Sequence, residues 1–587
     1  MSYIGNAATY DREYVPPMIG NGNMSFQVDY EGAMEYAPKD NSIKNNPSLR
    51  IWWAGRRYES RRKELIPFGR LERKLSRGER ILTAEKFEQT LNVEKAEVCS
   101  VCEYSENTAV KTRVFVHHNH NLIAVTNELT EGESAELEFS YRLADIENVE
   151  SAPKFFNYSF CSSEGGSIDI NYEVGAGLFD YKGVIRLFSQ GASCGQIKGN
   201  LFTLKTTLEK NKPEMFYILF ADSVDAPDYS ERSESLKAQI KASGIDEVIK
   251  EHRDGWAKYY AEGYAKLGDE GIDKMYQTAQ YHLKCFTSDW SVPVGLNDAL
   301  WNGKYFAFDE FYMFMGLLTS NHISLAKKIP MFRAAGLKSA ISRGSSGRSE
   351  AVAKYPWQTL EDGSEGSSPG FWLDHIFHMA CIACGEYYYY KFTNDKEFLE
   401  NTAYPVIKRC ALFFLNQTVY KTSGGKTVIG KCTDLERLGS QKENAYMTTC
   451  GVIKTLRICA ETAKVLGVDE DLVKKCEIIG AELFNALPQS GGMYVPYPGC
   501  AEASIALLSG TYPFDVIEKG SEPQARGIEK YLASEQRVGN MYAVGSGVCS
   551  WYMTWKALVF ARLGRIKDAY AAIKSVSRST GRFHEMF

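Results

Sequence analysis

Met215-Phe-Tyr-Ile-Leu-Phe220 and, shortly after it, Ser235-Leu-Lys-Ala-Gln-Ile240 are written in different periods. The first is a compact aromatic and β-branched run between Pro213 and Asp222-Ser223, and it reads as a strand. From about Ser233 the apolar spacing becomes helical, as at Leu236 and Ile240. Upstream, Ser25-Phe-Gln-Val-Asp-Tyr30, Ala109-Val-Lys-Thr-Arg-Val-Phe-Val116 and Leu122-Ile-Ala-Val-Thr-Asn127 repeat the strand pattern between turn residues. An antiparallel β-sandwich is therefore expected over residues 1–230. Ser235 to His252 and Trp256 to Leu267 read as helices of a linker, 231–269. The remainder, 270–587, holds about eleven amphipathic helices by its 3.6 period. Their expected starts are near 271, 305, 322, 371, 396, 443, 469, 500, 523, 548 and 567. No fixed-length repeat is visible, which weighs against a solenoid. Paired helices after a sandwich predict an (α/α)6 toroid, with its long loops building a pocket at one end.

Composition narrows the function. Lys and Arg total 68 against 73 Asp and Glu in 587 residues, a net charge of −5, so no basic face for nucleic acid is expected. No apolar run reaches a membrane span: Val548 to Gly564 is broken by Lys556 and Arg562. The start, Met1-Ser-Tyr-Ile-Gly-Asn6, has no basic or apolar leader, so a cytoplasmic protein with reduced thiols is expected. Aromatics are the outlier at 13%, which suits large cores and sugar-stacking pockets alike. Cys381 and Cys384 form a C-x-x-C without a second pair, and Val116-His-His-Asn-His120 places His117 and His118 on opposite faces of a strand, as solvated histidines. No metal and no cofactor is expected.

Four stretches can carry chemistry. Lys431-Cys-Thr-Asp-Leu-Glu-Arg-Leu-Gly439 holds Asp434, Glu436 and Arg437 between two helices, where a pocket carboxylate makes a general acid; a surface ion pair is the plainer reading. Lys354-Tyr-Pro-Trp-Gln-Thr-Leu-Glu-Asp-Gly-Ser-Glu365 mixes Trp357 with Glu365 and other polar groups, a combination that binds sugars, although Trp357 equally suits a core. Trp301 leads into Phe308-Asp309-Glu310, where acids suit either a helix N-terminus or a pocket wall. The end, Thr580-Gly-Arg-Phe-His-Glu-Met-Phe587, carries His584 and Glu585 in what is ordinarily a silent position.

Taken together, residues from about 290 onward resemble the catalytic domain of glycoside hydrolase family 65 and the clan it shares with the glucoamylases, the six-hairpin glycosidases. Tyr355 to Glu365 is similar without gaps to that family's Tyr-Pro-Trp-Glu-Ser-x-x-x-Gly-x-Glu, with Gln358 replacing a Glu. Glu436 to Tyr446 is similar to its Gly-Pro-Asp-Glu-Tyr…Asn-Ala-Tyr stretch, with Thr433-Asp434 in place of the Gly-Pro. Phe308-Asp309 resembles its Trp-Asp, and Ile19-Gly-Asn-Gly22 the opening of its sandwich.

The resemblance implies Glu436 as general acid, Asp309 as a ligand of the first sugar, and Glu585 as the general base of an inverting hydrolase. Trp301, Trp357, Glu365, Arg437, Asp434 and His584 would hold the substrate, an oligosaccharide or small glycoside. Inversion needs the two carboxyls about 6.5–9.5 Å apart. The family's phosphate-binding segment matches Gly545-Ser-Gly-Val-Cys-Ser550, which keeps Ser546 and Ser550 but lacks its His. A disaccharide phosphorylase releasing sugar 1-phosphate and a non-catalytic carbohydrate-binding protein stand as alternatives, and a homodimer stays open. The twelfth toroid helix is missing from the pattern.

Overall fold

The computed structural model describes residues 2–7, 14–36, 49–58, 63–143, 156–163, 165–175, 178, 180–295, 301, 303–345, 351–534, 536–538, 541–543 and 550–577. Two compact units divide the chain. The first combines Met1–Tyr264 with Gln280–Lys304, the second Ala265–Ala279 with Tyr305–Phe587.

The first unit is antiparallel β. A nine-stranded sheet runs Ser2–Asn6, Ala84–Asn92, Glu97–Tyr104, Thr108–Val116, Leu122–Glu131, Glu214–Asp222, Tyr181–Ser189, Ser167–Val174, Phe156–Ser163. A five-stranded sheet runs Ser193–Lys198, Leu201–Leu208, Ala135–Leu143, Gly69–Arg77, Arg80–Ile81. Their inner faces meet where Phe139 stacks on Phe216, ring centroids 4.6 Å apart, and Tyr141 lies edge-on to Phe220. A smaller four-stranded sheet runs from Met18–Gly20 to Leu65–Pro67.

The helices Tyr229–Ser243 and Ile245–Glu262 count with this unit. Ile240, Val248 and Ile249 pack on Phe115, Leu122, Phe188, Met215, Tyr217 and Leu219. They cover the sheet's second face. Glu214–Asp222 is therefore buried on both sides, with Phe216 and Phe220 toward the sandwich and Met215, Tyr217 and Leu219 toward the helices. That two-sided burial is the reason its sequence is continuously apolar.

The histidines at 117–120 differ from expectation. The strand stops at Val116, so the period of two no longer separates them. His117 is buried, with its ring 4.6 Å from His118, 4.9 Å from His120 and 6.1 Å from His252. Burial holds all four below the usual histidine range, His118 at about 4 and His252 at about 3.

The second unit is a ring of helical hairpins. Ala307–Thr319 turns into Ile323–Ala335, His378–Thr393 into the segment from Lys396 to Thr418, Tyr446–Leu466 into Glu470–Asn485, and Ser550–Leu563 into Ile566–Ser577. Helix starts fall close to those expected at 271, 305, 322, 396, 443, 469, 523, 548 and 567. Two differ. Near 371 there is a 3-10 turn, Phe371–Asp374, and the helix starts at His378, because Pro369 and Gly370 break the pattern. Near 500 only the 3-10 segment Ile505–Gly510 forms before Glu522–Ser534, in a stretch punctuated by Pro496, Pro498 and Pro513.

Aromatic rings close the ring of inner helices. Phe308 meets Trp555 at 5.9 Å and Trp551 at 6.2 Å, and Tyr312 meets Tyr512 at 5.6 Å. Trp555 Nε1 donates to the Tyr512 carbonyl at 2.7 Å. Beside the last helix, Tyr570 and Lys574 both bind Asp269, from the short 265–279 part of this unit. The described cysteines are free thiols, no group of three or more His, Cys, Asp or Glu among the described residues is placed to hold a metal, and no described helix is long and apolar enough to cross a membrane.

Candidate active site

Four segments of the second unit converge. The loop 355–365 is joined to the start of the first hairpin by a two-way backbone pair, Tyr305 N–H to the Thr359 carbonyl at 3.0 Å and Thr359 N–H to Tyr305 at 2.9 Å. Arg333, 2% exposed, locks this junction. Its Nε donates to Glu310 Oε2 at 2.7 Å and its Nη1 to Thr359 Oγ1 at 2.7 Å, while its carbonyl accepts from the Tyr355 hydroxyl at 2.9 Å. A buried guanidinium needs such a carboxylate, and its planar fork serves two partners at once. Glu310 thus points inward from the helix turn on which its neighbour Asp309 is exposed.

Glu365 is turned onto its own loop. Its carboxylate accepts the N–H groups of Trp357, Gln358 and Ser367, each at 3.0 Å, and an Arg343 guanidinium nitrogen at 2.9 Å. Trp357 is 6% exposed, and His375 lies flat against it, centroids 4.0 Å apart at 17°. The expectation of an open stacking face at Trp357 is thereby revised. Its ring sits among Phe306, Phe377 and His378, all edge-on, and supports the wall from inside.

The 431–442 loop is closed by reciprocal backbone bonds between Cys432 and Lys442, at 3.1 and 2.8 Å. Asp434, expected to face sugar, is fully buried. Its Oδ1 accepts the Thr448 N–H at 2.8 Å and the Thr448 hydroxyl at 2.5 Å, so it fastens the loop to the N-terminal turn of helix Tyr446–Leu466, where a carboxylate suits the unpaired N–H groups. Burial raises its carboxyl to about 6. With Asp434 anchored, the 3-10 turn Glu436–Leu438 carries Glu436 outward into solvent. Gly439 ends this turn at φ 77°, a left-handed value that favours glycine. Arg437 shares the turn, but its side chain lies outside the described residues.

The acid loop also binds the 3-10 turn Phe371–Asp374. Thr433 Oγ1 donates to the Phe371 carbonyl at 3.1 Å, Thr433 N–H to Asp374 at 3.3 Å, and Gln441 Nε2 to Asp374 Oδ2 at 2.9 Å. Trp357, Asp309, Glu365, Asp434 and Glu436 therefore all belong to one unit. Trp301 falls in the first unit and is half-buried. His584 and Glu585, with Ser546 of the expected phosphate segment, lie outside the described residues.

Sequence reasoning missed Arg333, Glu386, His375 and the 371–374 turn, and it left Glu310 as a helix-terminus or pocket-wall acid without its Arg333 partner. Glu386 is fully buried with neither oxygen hydrogen-bonded, and burial pushes its carboxyl well above the usual range. Only tertiary packing reveals such groups. The aromatic pair Phe371-Trp372 was the one legible signal.

A sandwich followed by a toroid of helical hairpins is the architecture of the six-hairpin glycosidases. Two solved structures share it. One, assigned as a kojibiose phosphorylase from the human microbiome, superposes with a TM-score of 0.72 over 96% of this chain and 82% of its own, at 12% identity. A bacterial glucoamylase complexed with acarbose gives 0.58 over 100% and 93%, at 9% identity. Residues 355–587 match the glycosyl hydrolase family 95 catalytic domain, where the sequence motifs had pointed to family 65 within the same clan. A kojibiose hydrolase of Mucilaginibacter mallensis is 28% identical over 365 residues, covering 60% of this chain. The chain spans 51% of that relative's length.

Proposed function

We propose that this protein is an inverting glycoside hydrolase acting on a disaccharide or small glycoside, with Glu436 as the general acid. The observation that carries the reading is the placement of Glu436. It is exposed on a turn fastened from beneath by Asp434, inside the segment matching a glycosyl hydrolase catalytic domain. A carboxylic acid there protonates the glycosidic oxygen as the bond to the anomeric carbon breaks. Asp309, exposed on the first toroid helix, holds hydroxyls of the first sugar, whose anomeric carbon is attacked, and Arg437 joins it on the resemblance alone. Glu365 and Trp357 shape the wall without meeting the substrate directly. Glu585 is proposed as the base on the resemblance alone. It would take a proton from water, whose oxygen attacks the anomeric carbon from the opposite face.

Similarity to a kojibiose hydrolase makes kojibiose the first substrate to try. The experiment is a screen of kojibiose, other disaccharides and aryl glycosides, with and without phosphate, followed by NMR. The expected result is phosphate-independent release of free sugar whose first anomer is inverted. Strict dependence on phosphate with sugar 1-phosphate as product would establish phosphorolysis instead. A retained first anomer would overturn the mechanism.

A further inference from the structure

Arg333 projects from helix Ile323–Ala335 and bonds two other segments at once. Toward helix Ala307–Thr319, its Nε donates to Glu310 Oε2 at 2.7 Å and its Nη2 lies 2.5 Å from the same oxygen. Toward the loop 355–365, its Nη1 donates to Thr359 Oγ1 at 2.7 Å. All three side chains are buried. Such an interior ion pair is a poor source of stability, because desolvation offsets the attraction, and replacing both partners by apolar residues of similar volume is often neutral. A guanidinium offers instead a planar fork that holds two acceptors at a set angle, which no apolar side chain does. The two segments it joins are adjacent in their backbones. Tyr305 and Thr359 exchange hydrogen bonds, and Phe306 meets Trp357 edge-on at 6.0 Å. Asp309 follows in the first helical turn, exposed, one residue before Glu310. Successive helix residues point about 100° apart, so holding Glu310 inward fixes the direction in which Asp309 leaves the helix.

We infer that Arg333 is a positioning residue for the first-sugar contact: by tying Glu310 to Thr359, it sets Asp309 against the loop that carries Trp357 and Glu365. Arg333 touches no substrate and acts through these partners. The inference rests on the glycosidase reading, in which Asp309 holds hydroxyls of the first sugar. A misplacement of about 1 Å costs such a contact about 10²-fold in rate. A loosened tether behind Asp309 is therefore felt in the kinetics even where the fold survives.

The test is a double-mutant cycle in the full chain, read with kojibiose and α-glucosyl fluoride, which share the first sugar. Thr359→Val removes one hydroxyl and leaves the Arg333–Glu310 pair in place. It should lower kcat/KM about 10- to 100-fold on both substrates, and Thr359→Ser, which keeps the hydroxyl, should retain wild-type kinetics. In an Asp309→Asn background, Thr359→Val should cost less than about 2-fold further, because both changes act on one contact. Arg333→Lys, which keeps the charge for Glu310 without the fork, carries the same cycle if Thr359→Val fails to fold. An equal loss in both backgrounds, the signature of a merely structural tether, would overturn the inference, as would no loss at all. If the wild type cleaves neither substrate, the glycosidase reading fails. Glucose binding by saturation-transfer NMR then decides the positioning role separately: binding lost in Thr359→Val and kept in Thr359→Ser upholds it, and binding unchanged in Thr359→Val or absent in the wild type overturns it.

Discussion

Asp434 shows how one buried carboxylate serves a neighbour. Its negative charge is disfavoured by complete burial, while the Thr448 N–H and hydroxyl favour it only in part, and the net result is a carboxyl raised to about 6. The folded state therefore holds this proton more tightly than the unfolded chain. That contribution to stability is fully present below about pH 4 and is lost as pH rises through about 6, on the order of 2–3 kcal/mol. Asp434→Asn keeps the acceptor for Thr448 without the charge. It should melt no lower than wild type at pH 8 and should flatten the local decline between pH 4 and 6, read as Tm against pH. A lower Tm at pH 8 would contradict this account. Arg333 is the opposite case, a buried charge paired with the Glu310 carboxylate and bonded to Thr359. Arg333→Met removes the guanidinium that pairs with buried Glu310, a loss of about 3–5 kcal/mol in denaturant unfolding. A cost under 1 kcal/mol would mean that Glu310 takes up a proton or water without penalty.

At the scale of elements, the histidine cluster sits where the hairpin after Thr108–Val116 meets helix Ile245–Glu262. His118 packs against Gly255, where any Cβ would lie 2.1 Å from its ring, and His252 Nε2 bonds the Lys95 carbonyl at 2.9 Å. The charged groups facing the cluster are Glu251, which favours protonation of His120, and Lys284 and Arg253, which oppose protonation of His118 and His252. The folded pKa values lie below 6.5, so the unfolded chain binds these protons first. Stability is present above about pH 6.5 and falls as pH drops toward 4. Hydrogen exchange should show the 110–125 and 245–260 segments opening earliest in mild acid, and His118→Gln should reduce that pH dependence. Uniform acid opening across the chain would contradict it.

The same scale explains what the sequence made legible. Period changes locate long elements because burial of a face leaves its mark at every second, or every third to fourth, residue. The change of period near 230 and most toroid helix starts follow from this. Phe371–Asp374 and Ile505–Gly510 escaped because Pro and Gly stop a helix locally while the backbone is held by distant partners such as Thr433. Glu436 was singled out through its motif. Asp434, Glu365 and Trp357 were recognised as special, but their direction was not: each faces inward, onto Thr448, loop amides and His375, and only tertiary contacts determine that.

For the whole molecule, the aromatic excess acquires two meanings. Phe308, Phe311, Tyr312, Tyr512 and Trp555 close the ring of inner helices, a task for large rings because the fourth inner position is a short 3-10 segment rather than a full helix. Phe371 and Trp372 instead remain at the surface beside the acid loop. The ring of helices fixes the loops at its rim, where the proposed general acid lies. The central claim, that Glu436 supplies the proton to the leaving group, is tested most directly by kcat of Glu436→Gln on kojibiose and on α-glucosyl fluoride. The account predicts a fall of about 10²–10⁴-fold on kojibiose, with fluoride turnover largely retained because fluoride departs without a proton from the enzyme. Turnover of kojibiose unchanged by the substitution would contradict it.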